Sequence, residues 1–485
     1  MNASNKLSQI QLGTFIGMTC ALVASIRNIT NVAAAGWTMF IYMGIAIVLY
    51  ALPLTFISGE YAGMFPEDGG PELWVTSALG KKWGFVTSWL LWVQMFPGMV
   101  MVGSVLGPMF AVSIGVPGLA SNNIFTLSSI LVIYWIVTLL NLRFDMAKIG
   151  GRIGMWLGLY IPVVAMFILG VGALFKVGIQ HTGQLGHFSP MLLFPNSQTY
   201  STLPNLIPIM FIFTGIEMAS VYMTRLKNPV KTYLKGTFIA LLFMALFNVV
   251  NGLLLANVIT GNVQLNNIAQ GFGECVKILG LPSILTNIFG IMVFIGVIFQ
   301  LSAWATGPSK TITESARRGL YPPKFGFWKK NKMGVSVNVL ITQAAFISLF
   351  ALLYLLVPAA NTAFLLLTSA TAIMYNAVYI IMGVGILHLR RTSPAQNRPF
   401  RIGGKGNGLI WLAVLIFVAT TVGATVASLL TGSVVGAISQ LIIAGVLIIA
   451  PLVVYARRKE SWKTEIELQL SGTGSAEEEN YEKAM

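Results

Sequence analysis

The chain has 485 residues, of which 56% are hydrophobic and only 9% charged, with a net charge of +15. An ordinary soluble domain carries about 25% charged residues, so this chain cannot clothe a water-facing surface and a soluble fold is excluded. Aromatic residues at 11% exclude disorder as well. What remains is an all-α polytopic membrane protein. The charge is unevenly placed: seven of the fifteen Asp and Glu lie beyond residue 459, so residues 1–459 carry +20 and the rest −5.

Apolar runs predict twelve transmembrane helices, each needing roughly 20 residues. They fall at about 10–34, 37–62, 83–114, 123–141, 153–176, 203–224, 236–259, 283–310, 335–357, 362–388, 408–431 and 435–456. Residues 1–9 form a short polar start, and the first apolar run has no clear cleavage site, so it is expected to stay as an anchor. Residues 10–200 carry helices 1–5, 201–390 carry helices 6–10, and 408–456 carry helices 11 and 12. Residues 457–485 form an acidic tail that its polar composition marks as flexible.

Twenty-four of the bases fall in the loops after the even-numbered helices or at the two ends, among them Lys6, Lys148, Arg152 and Lys405. Lys176 and Lys277 stand on the other side. The positive-inside rule then places both termini and these loops in the cytoplasm. Topology thus accounts for the basic balance, which points to anionic lipid headgroups and not to nucleic acid. Of the loops on the opposite side, 177–202 carries His181 and His187. The other, 260–282, can form a short surface helix over Asn266–Gly280.

No catalytic or cofactor site is expected. The chain has three histidines and two cysteines, Cys20 and Cys275, and no HExxH, CxxC or P-loop spacing. Gly403-Gly404-Lys405 lacks the spacing of an ATP site.

Helix 1 carries the first positive signal, Ser25-Ile26-Arg27-Asn28-Ile29-Thr30-Asn31 inside a spanning run. Irregular backbone at membrane depth is tolerated only where protein or water covers it. The segment is either a polar helix contact or a break whose free amides and carbonyls bind a small zwitterion. Arg27 can snorkel, cap the break or meet a substrate carboxylate.

The second signal is Phe213-Thr214-Gly215-Ile216-Glu217 in helix 6. Glu217 is the one carboxylate deep in a predicted span, and such groups are functional by default. Proton carrier, ammonium partner and anchor of a helix break all remain open for it. The two interruptions open the two five-helix halves, the position pattern of an inverted-repeat transporter. The third helix is overlong, and Pro97-Gly98 predicts a kink within it. Gln94 and Trp92 lie near that kink, Gln300, Ser302 and Trp304 on helix 8, and Tyr375, Asn376 and Tyr379 on helix 10. Packing and ligand contact are both open for these side chains.

Together these segments resemble the amino acid–polyamine–organocation superfamily, and within it the bacterial glutamate/γ-aminobutyrate antiporters. The most specific element follows helix 2: Phe65-Pro66-Glu67-Asp68-Gly69-Gly70-Pro71-Glu72-Leu73-Trp74-Val75, then Leu79-Gly80-Lys81-Lys82-Trp83-Gly84-Phe85. Ser25–Ile29, Trp92-Val93-Gln94, Phe213–Glu217 and Ala303-Trp304 with Gly307–Lys310 complete it, and the similarity spans about residues 10–458.

The resemblance implies a LeuT-like five-plus-five inverted repeat with helices 1 and 6 broken and two helices appended. It implies backbone contacts to substrate from Ala24, Ser25, Ile26, Phe213, Thr214 and Gly215, with Gln94 and Trp304 lining the pocket. Glu60 would sit in an inner gate or fold-stabilising cluster. It further implies exchange of an external amino acid for its internal decarboxylation product, a functional link to a cytoplasmic decarboxylase, and a role in acid resistance. Glutamate/γ-aminobutyrate, tyrosine/tyramine and histidine/histamine are candidate pairs, and a proton-coupled importer is the alternative. Two features depart from the glutamate exporters: Gln300 stands where an acid is expected, and the tail lacks a basic-aromatic plug.

Overall fold

The computed structural model describes residues 10–482 except 24, 66–69, 145, 147–153, 155, 181–183, 333, 358, 405, 432 and 433. Ala24, Glu67, Asp68, Lys6, Lys148, Arg152, His181 and Lys405 of the sequence reading therefore lie outside the described residues.

The described chain is helical. Predicted helix 1 is two pieces, α1 (Leu12–Val23) and α2 (Asn28–Ala34). Next come α3 (Gly36–Met64), the amphipathic α4 (Pro71–Leu79), α5 (Lys81–Ser113), α6 (Asn123–Arg143) and α7 (Trp156–Val177). Predicted helix 6 is again two pieces, α8 (Leu206–Phe211) and a 3-10 helix over Ile216–Arg225. Then follow α9 (Pro229–Val258), α10 (Ala269–Leu279), α11 (Ile284–Arg317), α12 (Val337–Leu356) and α13 (Ala360–Thr392). The last are α14 (Gly408–Thr431), α15 (Val434–Ala456) and α16 (Ser461–Glu482). Among the described residues eleven helices are long and apolar enough to cross a membrane. The broken α1–α2 segment is not one of them, since neither half has the length. The expected helix within 260–282 is α10, with Phe272 and Cys275 turned into the core.

Exposed apolar side chains on the outer helices, such as Val132, Leu246, Leu415 and Ile442, mark the lipid-facing surface. Inside, helix contacts follow membrane rules, with small residues at close crossings. On α7 and α11, Gly158 and Gly296 pack back to back, and a Cβ on Gly158 would lie 2.2 Å from the Cα of Gly296. A buried amide ties four helices. Gln343 of α12 accepts from Trp92 Nε1 of α5 at 3.0 Å and from Ser309 Oγ of α11 at 3.0 Å. Its Nε2 donates to the Tyr134 hydroxyl of α6 at 2.8 Å. Both ends of that amide are thereby matched, which is the condition for a polar group to sit in an apolar interior.

α5 is interrupted within its length, at Gln94 just before Pro97-Gly98 and again at Ser104–Val105. A proline lacks the N–H that would bond the carbonyl four residues earlier, and its ring crowds that carbonyl. Pro97 and Pro108 therefore disturb the turns around Val93 and Ser104, one turn upstream of themselves. One expectation is corrected, that of an irregular tail: α16 is a helix whose Ile466 is fully buried. Trp462, Ile466 and Leu470 recur every four residues, an apolar stripe that the polar composition of the tail conceals. That stripe lays α16 against the end of α11 and the turn at Pro323–Phe325.

Candidate functional site

The two broken helices lie side by side, half against half. α2 packs on α8, and α1 packs on the 3-10 helix Ile216–Arg225. At the basic end Ile10 N–H donates to Arg225 O at 2.8 Å, clamping the two ends together. The interruptions at 25–27 and 212–215 are therefore brought to a common level beyond the clamped ends, where backbone groups leave the i→i−4 ladder.

The break in helix 6 is made by Gly215, whose φ of 95° and ψ of −3° place it in the left-handed region, open to glycine without steric penalty. Four hydrogen bonds of two tyrosine hydroxyls hold this conformation. Gly215 N–H donates to the Tyr379 hydroxyl at 3.0 Å, and that hydroxyl donates to Glu217 Oε2 at 2.7 Å. The Tyr50 hydroxyl donates to Asn376 Oδ1 at 3.1 Å and so accepts from Thr214 Oγ1 at 2.9 Å. Phe213 and Glu217 are fully buried, whereas Thr214 and Gly215 keep partial exposure. Oε1 of Glu217 is buried with no hydrogen-bond partner. An unmatched carboxylate oxygen at this depth is costly, and a proton or a ligand cation would relieve it.

At the other break, Ser25 and Ile26 are buried, and the turn is closed by Asn28 N–H donating to Ser25 O at 3.2 Å. Thr30 Oγ1 sits 2.8 Å from Arg27 O and 2.7 Å from Leu265 O, pinning α2 to the loop before α10. Arg27 does not snorkel: it is only 6% exposed. Its guanidinium carbon lies 5.6 Å from the ring centroid of Trp304 on α11, within cation–π range. Its Nη1 is buried without a partner. Gln300, one turn before Trp304, shares that face of α11 and is half-buried. Ser302 faces away, donating to Asn141 on α6 at 2.8 Å.

The remaining candidates fall elsewhere. Gln94 is buried at the bend of α5, and its amide donates to Leu91 O of its own helix at 3.1 Å. Glu60 is not at the breaks. It is fully buried near the basic end of α3, in a bidentate pair with Arg390 of α13, with Arg390 Nε at 2.8 Å and Nη2 on the second oxygen. Arg398 Nε stands 3.4 Å away, and Ile402 N–H donates to the same carboxylate at 3.2 Å.

Tyr50 was absent from the sequence candidates. Its signal lies in the backbone: residues Ala46–Ala51 form a π-helical turn, a feature that often marks functional positions. Tyr375, half-buried, carries the aromatic lining from Phe211 to Tyr379 at centroid distances of 6.2 and 5.6 Å.

Paired discontinuous helices around buried polar groups define a secondary-transporter architecture. The chain belongs to the amino acid permease family, whose model matches residues 10–460, and it is an amino acid or polyamine transporter of that class and not an enzyme. It is 27% identical to an uncharacterized transporter of Legionella pneumophila, over 83% of this chain and 85% of the relative. It is 23% identical to a glutamate/gamma-aminobutyrate antiporter of Lactococcus lactis, covering 84% and 81%. A probable agmatine/putrescine antiporter of the same species is 23% identical, covering 77% and 78%. The crystal structure of MhsT in complex with L-phenylalanine aligns at a TM-score of 0.52 and 14% identity, covering 89% of this chain and 100% of that one. That likeness supports the fold alone.

Proposed function

We propose that the protein exchanges an external amino acid for an internal amine, its decarboxylation product, by alternating access. The substrate would lie between the two breaks. Backbone groups of Ala24, Ser25 and Ile26, and of Phe213, Thr214 and Gly215, would bind its carboxylate and ammonium. Gln94, Gln300, Trp304 and Tyr379 would line the pocket. The five-plus-five repeat is part of the same reading, as are cytoplasmic termini in a bacterial inner membrane and the supply of amine by a cytoplasmic decarboxylase.

One observation carries the proposal: two buried, oppositely charged groups, each with an unpartnered polar atom, stand at the two breaks. Arg27 Nη1 suits a carboxylate of the amino acid, and Glu217 Oε1 suits an ammonium or a proton. Both charges are left to be completed by something that enters, as an exchanged zwitterion does. Glutamate/γ-aminobutyrate heads the candidate pairs, because Arg27 offers an anion partner beside Trp304 and two relatives bear that name. The unmatched Glu217 oxygen also favours a second reading, proton-coupled import without obligatory exchange.

Counterflow separates the two. Proteoliposomes loaded with γ-aminobutyrate, tyramine or histamine are offered labelled glutamate, tyrosine or histidine at acidic and neutral pH. Exchange predicts uptake only into liposomes loaded with a matching amine. Equal uptake into empty liposomes removes the exchange reading and leaves the importer.

A further inference from the structure

A well-formed cavity lies away from the breaks. It has a volume of about 380 Å³ and lies on the basic face, where the start of α5, the end of α11 and the start of α16 converge. Its size is in the range of small-ligand sites. Its charged lining is six cations, Lys81, Arg317, Arg318, Arg458, Lys459 and Lys463, against two carboxylates, Glu72 and Glu460.

The internal pairing does not neutralise it. Arg318 meets Glu72 at 3.1 Å and Arg458 meets Glu460 at 3.3 Å. Lys463 turns to Glu467 at 3.5 Å along its own helix. Arg317, also in the lining, donates from Nε to the carbonyl of Trp328 at 3.0 Å, a neutral partner that leaves its charge uncancelled. The lining thus keeps a formal excess of four positive charges, three once Glu467 is set against Lys463, in a concave site where low-dielectric walls focus the field.

The cleft is also a built one. The tail is seated on the end of α11 so closely that a Cβ on Gly319 would lie 2.8 Å from the Cβ of Lys463. Phe85 and Leu320 supply an apolar wall. The first turn of α5 has no side-chain cap, so its N–H groups add partial positive charge beside Lys81.

We infer that this cleft binds a multiply charged phosphate group, carried either by an anionic lipid headgroup or by a soluble phosphate compound. Planar guanidinium groups and lysine ammoniums suit phosphate oxygens. The location at the membrane boundary suits a headgroup, and the open side suits a soluble anion. A ligand here would join the tail to α5 and α11, the helices that carry Gln94 and Trp304, so its occupancy reaches the membrane site through rigid elements.

The test uses the full chain and a double variant, Lys81→Gln with Lys459→Gln, both exposed positions. A control double variant, Lys231→Gln with Lys235→Gln, removes the same charge from exposed positions at the start of α9. In one arm, pyrophosphate is titrated onto protein in phosphatidylcholine nanodiscs. In the other, native mass spectrometry counts cardiolipin retained from mixed phosphatidylcholine/cardiolipin vesicles. Affinity or retention should fall about tenfold in the cleft variant and not in the control, as loss of two charge-assisted contacts requires. A response in the first arm assigns a soluble phosphate, and one in the second assigns a lipid. No binding in either arm, or equal loss in the control, overturns the proposal.

Discussion

The Tyr379 hydroxyl sits between Gly215 N–H, at 3.0 Å, and Glu217 Oε2, at 2.7 Å. One side chain of α13 thereby joins the glycine that opens helix 6 to the carboxylate that follows it. The hydroxyl accepts from the amide and donates to the carboxylate, so the two bonds share a direction and reinforce each other. A helix break at membrane depth needs such partners for its freed backbone groups.

Tyr379→Phe should therefore loosen the break without emptying the site of its ring. Hydrogen bonds to charged groups contribute about 1.5–3 kcal/mol, so counterflow rate should fall roughly tenfold or more while the protein still purifies as a monodisperse species. Glu217→Gln keeps an acceptor oxygen for Tyr379 but removes the charge. It should flatten the pH dependence of uptake more than it lowers the rate at the optimum. A normal rate with an unaltered pH profile would confine Glu217 to anchoring the break.

The guanidinium of Arg27 over Trp304 leads to a second expectation. A desolvated cation–π contact is worth about 2 kcal/mol, and here it also orients the unpartnered Nη1. Trp304→Ala should raise the KM for the amino acid about tenfold with little change in maximal rate. Arg27→Gln should do the same for substrates with an acidic side chain and far less for tyrosine. Unchanged KM in Trp304→Ala, measured on protein of unaltered thermal stability, would place that ring in packing alone.

Much of this arrangement is legible in the residues. The breaks announce themselves because polar residues and glycine are out of place in spans: Ser25 to Asn31 and Thr214 to Glu217 stand out against their apolar flanks. What is hidden is pairing across distance. Tyr50 reads as one more aromatic until its hydroxyl meets Thr214 and Asn376, which lie more than 160 residues away. Gln343 reads as a stray amide until four helices close around it. Glu60 reads as a helix-end acid, and only the return of α13 supplies Arg390. Composition also misleads at the tail, where the apolar stripe of α16 is diluted by acidic neighbours.

The Glu60–Arg390 pair is fully buried and bidentate, and it holds the loop at Ile402 as well. Removing one partner of a buried pair strands the other charge, at a cost of about 3–5 kcal/mol. Glu60→Gln, which strands Arg390 and leaves Arg398 without its carboxylate, should lower the melting temperature in detergent substantially, and Arg390→Gln less, because Arg398 still faces Glu60 at 3.4 Å. The double variant should recover part of the Glu60→Gln loss, because Arg390 is then no longer left alone. A double variant that loses the sum of the two would show that the residues act independently.

Glu72 on α4, outside the spanning helices, gives the last expectation. Burial holds its carboxyl above the usual carboxylate range, Arg318 at 3.1 Å pulls it back down, and Glu314 adds a smaller upward push. Glu314 is itself engaged by Lys330. The folded state therefore holds the Glu72 proton more tightly than the unfolded chain does. Its contribution to stability is full below the unfolded value and declines as pH rises through the folded one. Glu72→Gln removes that decline, so its melting temperature relative to the unaltered protein should improve from acidic toward neutral pH. The loss of the Arg318 pair adds a nearly constant offset, small because Arg318 is about half exposed. Melting curves recorded across the acidic range check this, and two parallel pH profiles would show that Glu72 ionises as freely in the folded protein as in the open chain.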